Sequence, residues 1–393
     1  MMPDTTAGIC PARLTIRRPS QLDGLRNALL LLFLLAAGRL GMAQEPLHER
    51  LGFSTGSLTN QSAEHIRRTF TEAGRVGRWI RADCDWSVVE RVPGTLEWEP
   101  VDRWVDIARE LGLNVVMVVA YTPTWARPAC LSDKLHSAPD RRHLDEWRAF
   151  CDSVATRYGR GKGIHHFEIW NEPNAQEFYS TLNKDHTCRS AATYREVLAG
   201  AAERIRARDE RAQILVGGIW PKAEDNEWNR VVGSRLWLQR QYGSTPDSAR
   251  AFSASFDLLG YHPYAVYEDR AGGSTGGPLS EPEALNPFLL TAELHAIMVA
   301  HGDGDKQIWA TELGARTGGA HLPRVDEATQ ARWVGEYLNQ WGRWDFAGKL
   351  FWYNIQDECP PQDPAGWCHY GVLRFDGSRK PAYHELLRWA QGR

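Results

Sequence analysis

The chain has no block of basic residues: 46 Lys and Arg stand against 49 Asp and Glu, for a formal charge of −3. Composition therefore offers no electrostatic footprint for a nucleic acid. Beyond the first 43 residues there is no apolar run long enough to span a bilayer. Neither a C-x-x-C pair nor a spaced Cys/His cluster occurs, which disfavours structural zinc. The G-x-G-x-x-G turn of a dinucleotide-binding sheet is missing after the first apolar strand. No internal repeat or linker divides the chain, so it reads as one large domain with a substantial core.

The first 43 residues look like an address rather than fold. Arg13, Arg17, Arg18 and Arg26 precede the apolar run Ala28–Ala37, and Gly41-Met42-Ala43 places small residues where a signal peptidase reads. A run of ten cannot cross a membrane. Arg17-Arg18 raises a twin-arginine route, but the hydrophobic stretch that should follow it is absent. The expectation is a signal peptide over 1–43 and a secreted or periplasmic domain over 44–393. That domain keeps six cysteines, Cys84, Cys130, Cys151, Cys188, Cys359 and Cys368. An oxidising compartment permits disulfides among them. Cys359 and Cys368 flank a Pro/Gly-rich loop and are the best candidate pair.

Helical periodicity alternates with short, continuous apolar runs. Val101, Trp104, Val105, Ala108 and Leu111 share one helical face, with Gly112 as a stop. Leu144, Trp147, Cys151, Val154 and Tyr158 repeat the pattern, as do Tyr194, Val197, Leu198, Ala201 and Ile205. Strands are expected at Leu51–Thr55, Arg78–Ala82, Asn114–Ala120, His166–Trp170, Gln213–Gly217, Phe256–Gly260, Gln307–Thr311 and Lys349–Tyr353. Their continuous hydrophobicity is that of parallel strands buried on both faces. Eight such units at a spacing of roughly 43 residues predict a single-domain (β/α)8 TIM barrel. The stretch Ala271 to Gly277 reads as a mobile loop.

In such a barrel the chemistry sits at the C-terminal ends of the strands. Strand four ends in Ile169-Trp170-Asn171-Glu172-Pro173-Asn174, and strand seven in Ile308 to Gly314 with Glu312 inside it. A lone glutamate at a strand end is usually a rim salt bridge. Two of them, reaching one rim from opposite sides, meet the requirement of glycoside hydrolysis for a carboxyl on each side of the scissile bond. Neither a metal nor an organic cofactor is needed for that chemistry. His165 and His166 open a strand and so lie away from the site.

Asn171-Glu172-Pro173 and Thr311-Glu312 resemble the signature of the large clan of retaining glycosidases built on this barrel. The resemblance implies that Glu172 is the acid/base and Glu312 the nucleophile. The segment from Trp79 to Asp102 is similar to the second-strand region of the β-xylosidase/α-L-iduronidase family. It is closer still to the bacterial exopolysaccharide glycosidases assigned to that family. Val118 to Ala126, Gly260 to Tyr264 and Gly377 to Leu386 agree with it. Members of that family usually carry an extra β-sandwich, and here about forty residues follow the start of strand eight.

Arg81 ends strand two and can hold Glu312 ionised, since a nearby cation favours the charged carboxylate. Asn171 can bond the sugar 2-hydroxyl, a contact that strengthens in the transition state. Asn171 and Glu172 face opposite ways in a regular strand, so both reach the pocket only if the strand breaks. Tyr264 can donate to Glu312, and His262 can serve substrate or Glu172. Trp352 resembles the clan's platform for the sugar ring, while Trp125 and Trp220 are candidates for outer subsites if exposed. Asp83 and Asp85 read as ligands of the arginine or of loop amides. The expected partner is a carbohydrate. Three readings stay open: an endo-acting enzyme on a β-linked polysaccharide, which the missing sandwich and rim tryptophans favour; an exo-acting β-xylosidase or β-glucosidase; and an inactive carbohydrate-binding protein.

Overall fold

Eight parallel strands close on themselves in sequence order, β1 pairing with β8. They are β1 Leu51–Gly56, β2 Trp79–Asp85, β3 Asn114–Ala120, β4 His166–Asn171, β5 Gln213–Ile219, β6 Leu258–Tyr261, β7 Ile308–Leu313 and β8 Ala347–Tyr353. The computed structural model describes residues 45–182, 187–222, 231–265, 277–279, 286–319 and 324–392. The expected signal peptide and nearly all of the Ala271–Gly277 loop lie outside these residues. Among the described residues no helix is long and apolar enough to cross a membrane.

The barrel helices are α1 Ala63–Val76, α2 Glu99–Glu110, α3 Leu144–Val154, α4 Tyr194–Arg208, α5 Ser234–Tyr242, α6 Leu290–Ala300, α7 Glu327–Trp341 and α8 Pro381–Ala390. Their boundaries follow local chemistry. The Ser62 side chain accepts the amide of His65 at the start of α1. Thr193 and Glu196 form a reciprocal capping box on α4. Gly112, with φ of 68°, turns the chain out of α2. A π-helical turn over Ala155–Arg160 continues α3 and brings Tyr158 to Asp102. Phe256 lies before β6 rather than in it, packed on Phe252. β2 runs on to Asp85, three residues beyond the expected Ala82.

Two apolar layers hold this frame. The larger fills the space between the strands and the helical ring. The smaller plugs the barrel floor with Trp79, Val116, Leu215, Leu258, Trp309 and Phe351. His166 belongs to that floor, its ring stacked on Trp309 at 5.2 Å and edge-on to Trp79 at 4.9 Å. Burial, helped by Lys349, lowers its pKa to about 4 and keeps it neutral there. His166 is thus structural, at the floor end of the barrel.

Cys359 and Cys368 are joined by a disulfide, and so are Cys130 and Cys188, a pair that spacing alone does not suggest. The latter ties the loop after β3 to the loop after β4. Cys84 and Cys151 are buried thiols. The sequence separations are 58 and 9 residues. In the chain-entropy account these bonds contribute about 4 and about 2.5 kcal/mol. Replacing Cys130 and Cys188 together by serine should therefore lower the thermal midpoint more than replacing Cys359 and Cys368. Scanning calorimetry of the two double variants checks this, and the reverse order would show that native-state packing, not loop closure, sets the contributions.

Candidate active site

Above the aromatic floor the barrel interior turns polar. Two-residue alternation points Trp79, Arg81 and Asp83 of β2 inward, together with His166 and Glu168 of β4. Arg81 is 1% exposed and Glu168 is 0%. Arg81 Nε donates to Glu168 Oε2 at 2.6 Å, and Nη2 to Glu168 Oε1 at 3.1 Å. Nη2 also donates to Asn171 Oδ1 at 2.9 Å. Nη1 donates to Ser54 Oγ at 3.0 Å and to Glu312 Oε1 at 2.6 Å. A guanidinium has five N–H bonds, and these five contacts use them all. Burial alone would depress the arginine; the charges of Glu168 and Glu312 more than reverse that and keep it protonated.

Glu168 is the residue that sequence reasoning missed. Its Oε1 also accepts from the Gly218 amide at 2.6 Å and from Thr311 Oγ1 at 3.2 Å. A carboxylate in the middle of an otherwise apolar strand was the available signal. Such a group is tolerated inside a barrel only with a buried counter-charge, and Arg81 is that charge.

Glu312 receives Arg81 and Ser54 (3.3 Å) on Oε1 and the Tyr264 hydroxyl on Oε2 at 3.0 Å. His262 Nδ1 lies 2.8 Å from Glu172 Oε1 and 3.7 Å from Glu312 Oε2. One oxygen of each glutamate and a ring nitrogen of His262 all fall within 4.8 Å of one another. Carboxyls of retaining glycosidases stand roughly 5–5.5 Å apart and those of inverting ones roughly 6.5–9.5 Å; the nearest oxygens of this pair lie within 4.8 Å. His262 sits against Gly218, where an added Cβ would come within 2.0 Å of its Nε2. Only glycine leaves room for the ring.

The two glutamates are pushed apart in pKa. Burial raises Glu172, and the charge of Glu312 adds to this against the pull of His262. Burial would raise Glu312 too, but His262, Arg81 and the Tyr264 hydroxyl outweigh it and hold the group below the usual range. Like carboxyls in contact divide in this way when one has the cations.

Both Asn171 and Glu172 reach the pocket because the strand does break. Trp170 has φ of 73° and Glu172 of 47°, conformations costing about 1–3 kcal/mol each. Packing fixes them: the Trp170 indole donates to the Phe178 carbonyl at 2.7 Å, and the Glu172 amide to the Gly218 carbonyl at 2.9 Å. With its oxygen held by Arg81, the Asn171 amide presents its NH2 to the cavity.

Three expectations change. Trp352 is 1% exposed and packs edge-on against Tyr337 of α7, with its indole N–H on the Tyr370 carbonyl. It faces the helical layer and offers no platform. Phe351 points inward, so alternation gives the next inward position to Tyr353, whose ring lies 5.5 Å from Tyr370. Trp125 and Trp220 are half-buried, the first packed on Trp86 and bonded to the Glu90 carbonyl, the second against Phe178. Among the described residues the exposed tryptophan is Trp367, 60% accessible, beside Cys368 in the loop after β8. Finally, Asp85 does bind loop groups, the Ser87 amide and hydroxyl. Asp83 cannot be a ligand of Arg81, since no N–H of that guanidinium remains.

Among the described residues two sets have the spacing of metal ligands: Glu172, His262 and Glu312, and Cys359, Asp363 and Cys368. In the second both sulfurs are bonded to each other, and in the first the ring nitrogen already serves Glu172.

The model of one protein family, cellulase (glycosyl hydrolase family 5), matches residues 79–350. No curated protein matches the chain. Solved structures do. A family 39 glycoside hydrolase from the gut symbiont Bacteroides cellulosilyticus WH2 superposes with a TM-score of 0.61 at 18% identity, over 88% of this chain and 63% of its own. A monomeric β-xylosidase from Caulobacter crescentus CB15 gives 0.60 at 17% identity, over 87% and 68%. The family 39 enzyme from Xanthomonas axonopodis pv. citri gives 0.61 at 19%, over 88% and 67%. At these identities the likeness is one of fold, and the chain spans less than two thirds of the first structure.

Glu168→Gln keeps the shape of the buried side chain and removes its charge, leaving Arg81 short of a partner. Breaking one side of a buried ion pair costs about 3–5 kcal/mol. Urea unfolding of this variant should show a loss of that order, and an unchanged midpoint would mean that the pair does not anchor the barrel interior.

Proposed function

The chain belongs to the cellulase family, glycosyl hydrolase family 5, and from that membership we propose how this glycoside hydrolase works and on what. Glu312 is the nucleophile and Glu172 the acid/base of a double displacement. The observation that carries this reading is the close carboxylate pair with opposed pKa shifts. Ionised Glu312 attacks the anomeric carbon while neutral Glu172 protonates the departing oxygen. The resulting ester cancels the charge of Glu312, which lowers the pKa of Glu172 and suits it to take a proton from the incoming water. Tyr264 and Arg81 hold the nucleophile ionised and oriented. The Asn171 NH2 is placed for the sugar 2-hydroxyl.

The proposed substrate is a β-linked poly- or oligosaccharide, a bacterial exopolysaccharide or plant glycan, cut internally. The exposed Trp367 beside the mouth supports this, because an indole face stacks on sugar rings beyond the one being cleaved. Secretion after removal of residues 1–43 completes the proposal, and the disulfides Cys130–Cys188 and Cys359–Cys368 suit an oxidising compartment.

Rescue chemistry separates the two roles. Glu172→Ala loses the proton donor, which matters in proportion to how poor the leaving group is. An aryl β-glycoside with an acidic phenol should still glycosylate this variant, and azide should restore turnover, giving the β-glycosyl azide. Glu312→Ala should fall by many orders of magnitude on every substrate, and azide should then give the α product by a single displacement. Finding the two azide configurations swapped would reverse the assignment.

A further inference from the structure

Asp83 has no task in the structure as it stands. It is 8% exposed and lies on β2 two residues past Arg81, on the same inward face of the strand. No hydrogen bond reaches its carboxyl from any described residue. Arg81, the nearest cation in sequence, has committed all five N–H bonds elsewhere. Asp85, the next inward position, is occupied with Ser87. Neither of its oxygens is among the fully enclosed polar atoms that lack a partner, so the carboxyl reaches open space. A carboxyl kept in that state beside a nucleophile is waiting for a partner from outside.

Its setting shows where that partner comes. The charges of Glu312 and of Arg81 both act on Asp83. Tyr121, after β3, and Tyr353, at the end of β8, both feel the charge of Asp83 and that of Glu312. On the inward face of β2 the carboxyl lies above the Arg81 layer, with Tyr121 following the adjacent β3 and Tyr353 ending β8, one strand beyond β1. Burial pushes its pKa up to about 7, with Asp85 and Glu312 adding to the effect against the pull of Arg81. This is the expected state of an acid with no bound donor.

We propose that Asp83 is a specificity residue of the sugar site, accepting hydrogen bonds from hydroxyls of the ring held over Glu312, and that the ring it accepts is neutral. The inference rests on the retaining-glycosidase reading above and adds the substrate class. Two oxygens of one carboxylate suit a vicinal diol. The 2-hydroxyl already has Asn171, so Asp83 serves hydroxyls further round the ring. A sugar carrying a carboxylate or sulfate there would meet the charge of Glu312, and that of Asp83 wherever it is ionised, with Arg81 already shared between Glu168 and Glu312. A uronic acid is therefore excluded from this ring position.

The test uses the full-length protein on aryl β-glycosides of mono- and disaccharides, first across neutral sugars and the corresponding glucuronides. The best neutral substrate is then compared with its analogues lacking one hydroxyl of the reacting ring at a time, in wild type, Asp83→Asn and Asp83→Ala. A hydrogen bond to a charged group is worth about 1.5–3 kcal/mol, or on the order of 10–100-fold in kcat/KM. In wild type, loss of one hydroxyl other than the 2-hydroxyl should cost that factor. In Asp83→Ala the same deletion should cost a few-fold at most, with Asp83→Asn in between. Both variants should unfold at the wild-type temperature or above it, because a carboxyl whose ionisation burial opposes has been removed. Equal deletion penalties in all three proteins, or preference for a glucuronide, would overturn the assignment. Product configuration is read by NMR in the same reactions. Inversion, or no turnover of any glycoside, would instead overturn the retaining reading on which it rests.

Discussion

The five hydrogen bonds of the Arg81 guanidinium are the constraint on which the site depends. One cation, fixed in the barrel axis, clamps Glu168 from β4, touches Ser54 from β1, orients Asn171 and binds Glu312 from β7. Four strands are thereby held in mutual register at the level where the apolar floor gives way to the cavity. Glu168 makes the clamp rigid. It is itself fastened by the Gly218 amide and Thr311, so the arginine has one available orientation. Taking two such charges out of water is costly, and their value lies less in stability than in position.

From that fixed charge follows the unequal treatment of the two glutamates. Both are buried, and burial alone would neutralise both. The cationic side of the cavity faces Glu312, while Glu172 sits across from it with His262 as its only hydrogen-bonding side chain among the described residues. The same arrangement explains the backbone strain at Trp170 and Glu172: β4 must deliver Asn171 to the arginine and Glu172 to the cavity from adjacent positions, which a regular strand cannot do.

Much of this was legible in the sequence. Continuous apolar runs at even spacing specified the barrel, and strand-end position singled out Glu172 and Glu312, with Arg81, His262 and Tyr264 as their neighbours. The rest was hidden for physical reasons. Glu168 and Asp83 lie within strands, where which charge meets which depends on the stagger of the barrel. Trp352 and Tyr353 were separated by a single residue of phase: alternation turns the tryptophan toward Tyr337 and the tyrosine inward. Cys130 and Cys188 are brought together by two long loops, and no spacing rule reports such a meeting. The rim aromatics could not be ranked before exposure was known, and it was Trp367 rather than Trp125 or Trp220 that proved open.

The electrostatic coupling of the two carboxyls sets their unequal pKa values, and it is directly measurable. A 13C NMR titration of glutamate side-chain carboxyls, with Glu172 assigned by its loss in Glu172→Gln, reports its pKa in wild type and in Glu312→Gln. In wild type Glu172 should titrate above the ordinary glutamate range. Removing the charge of Glu312 should lower that value while burial keeps it from returning fully, since a neighbouring anion favours the protonated form. A Glu172 pKa that is ordinary in wild type, or that does not fall in Glu312→Gln, would contradict the division of roles between the two residues.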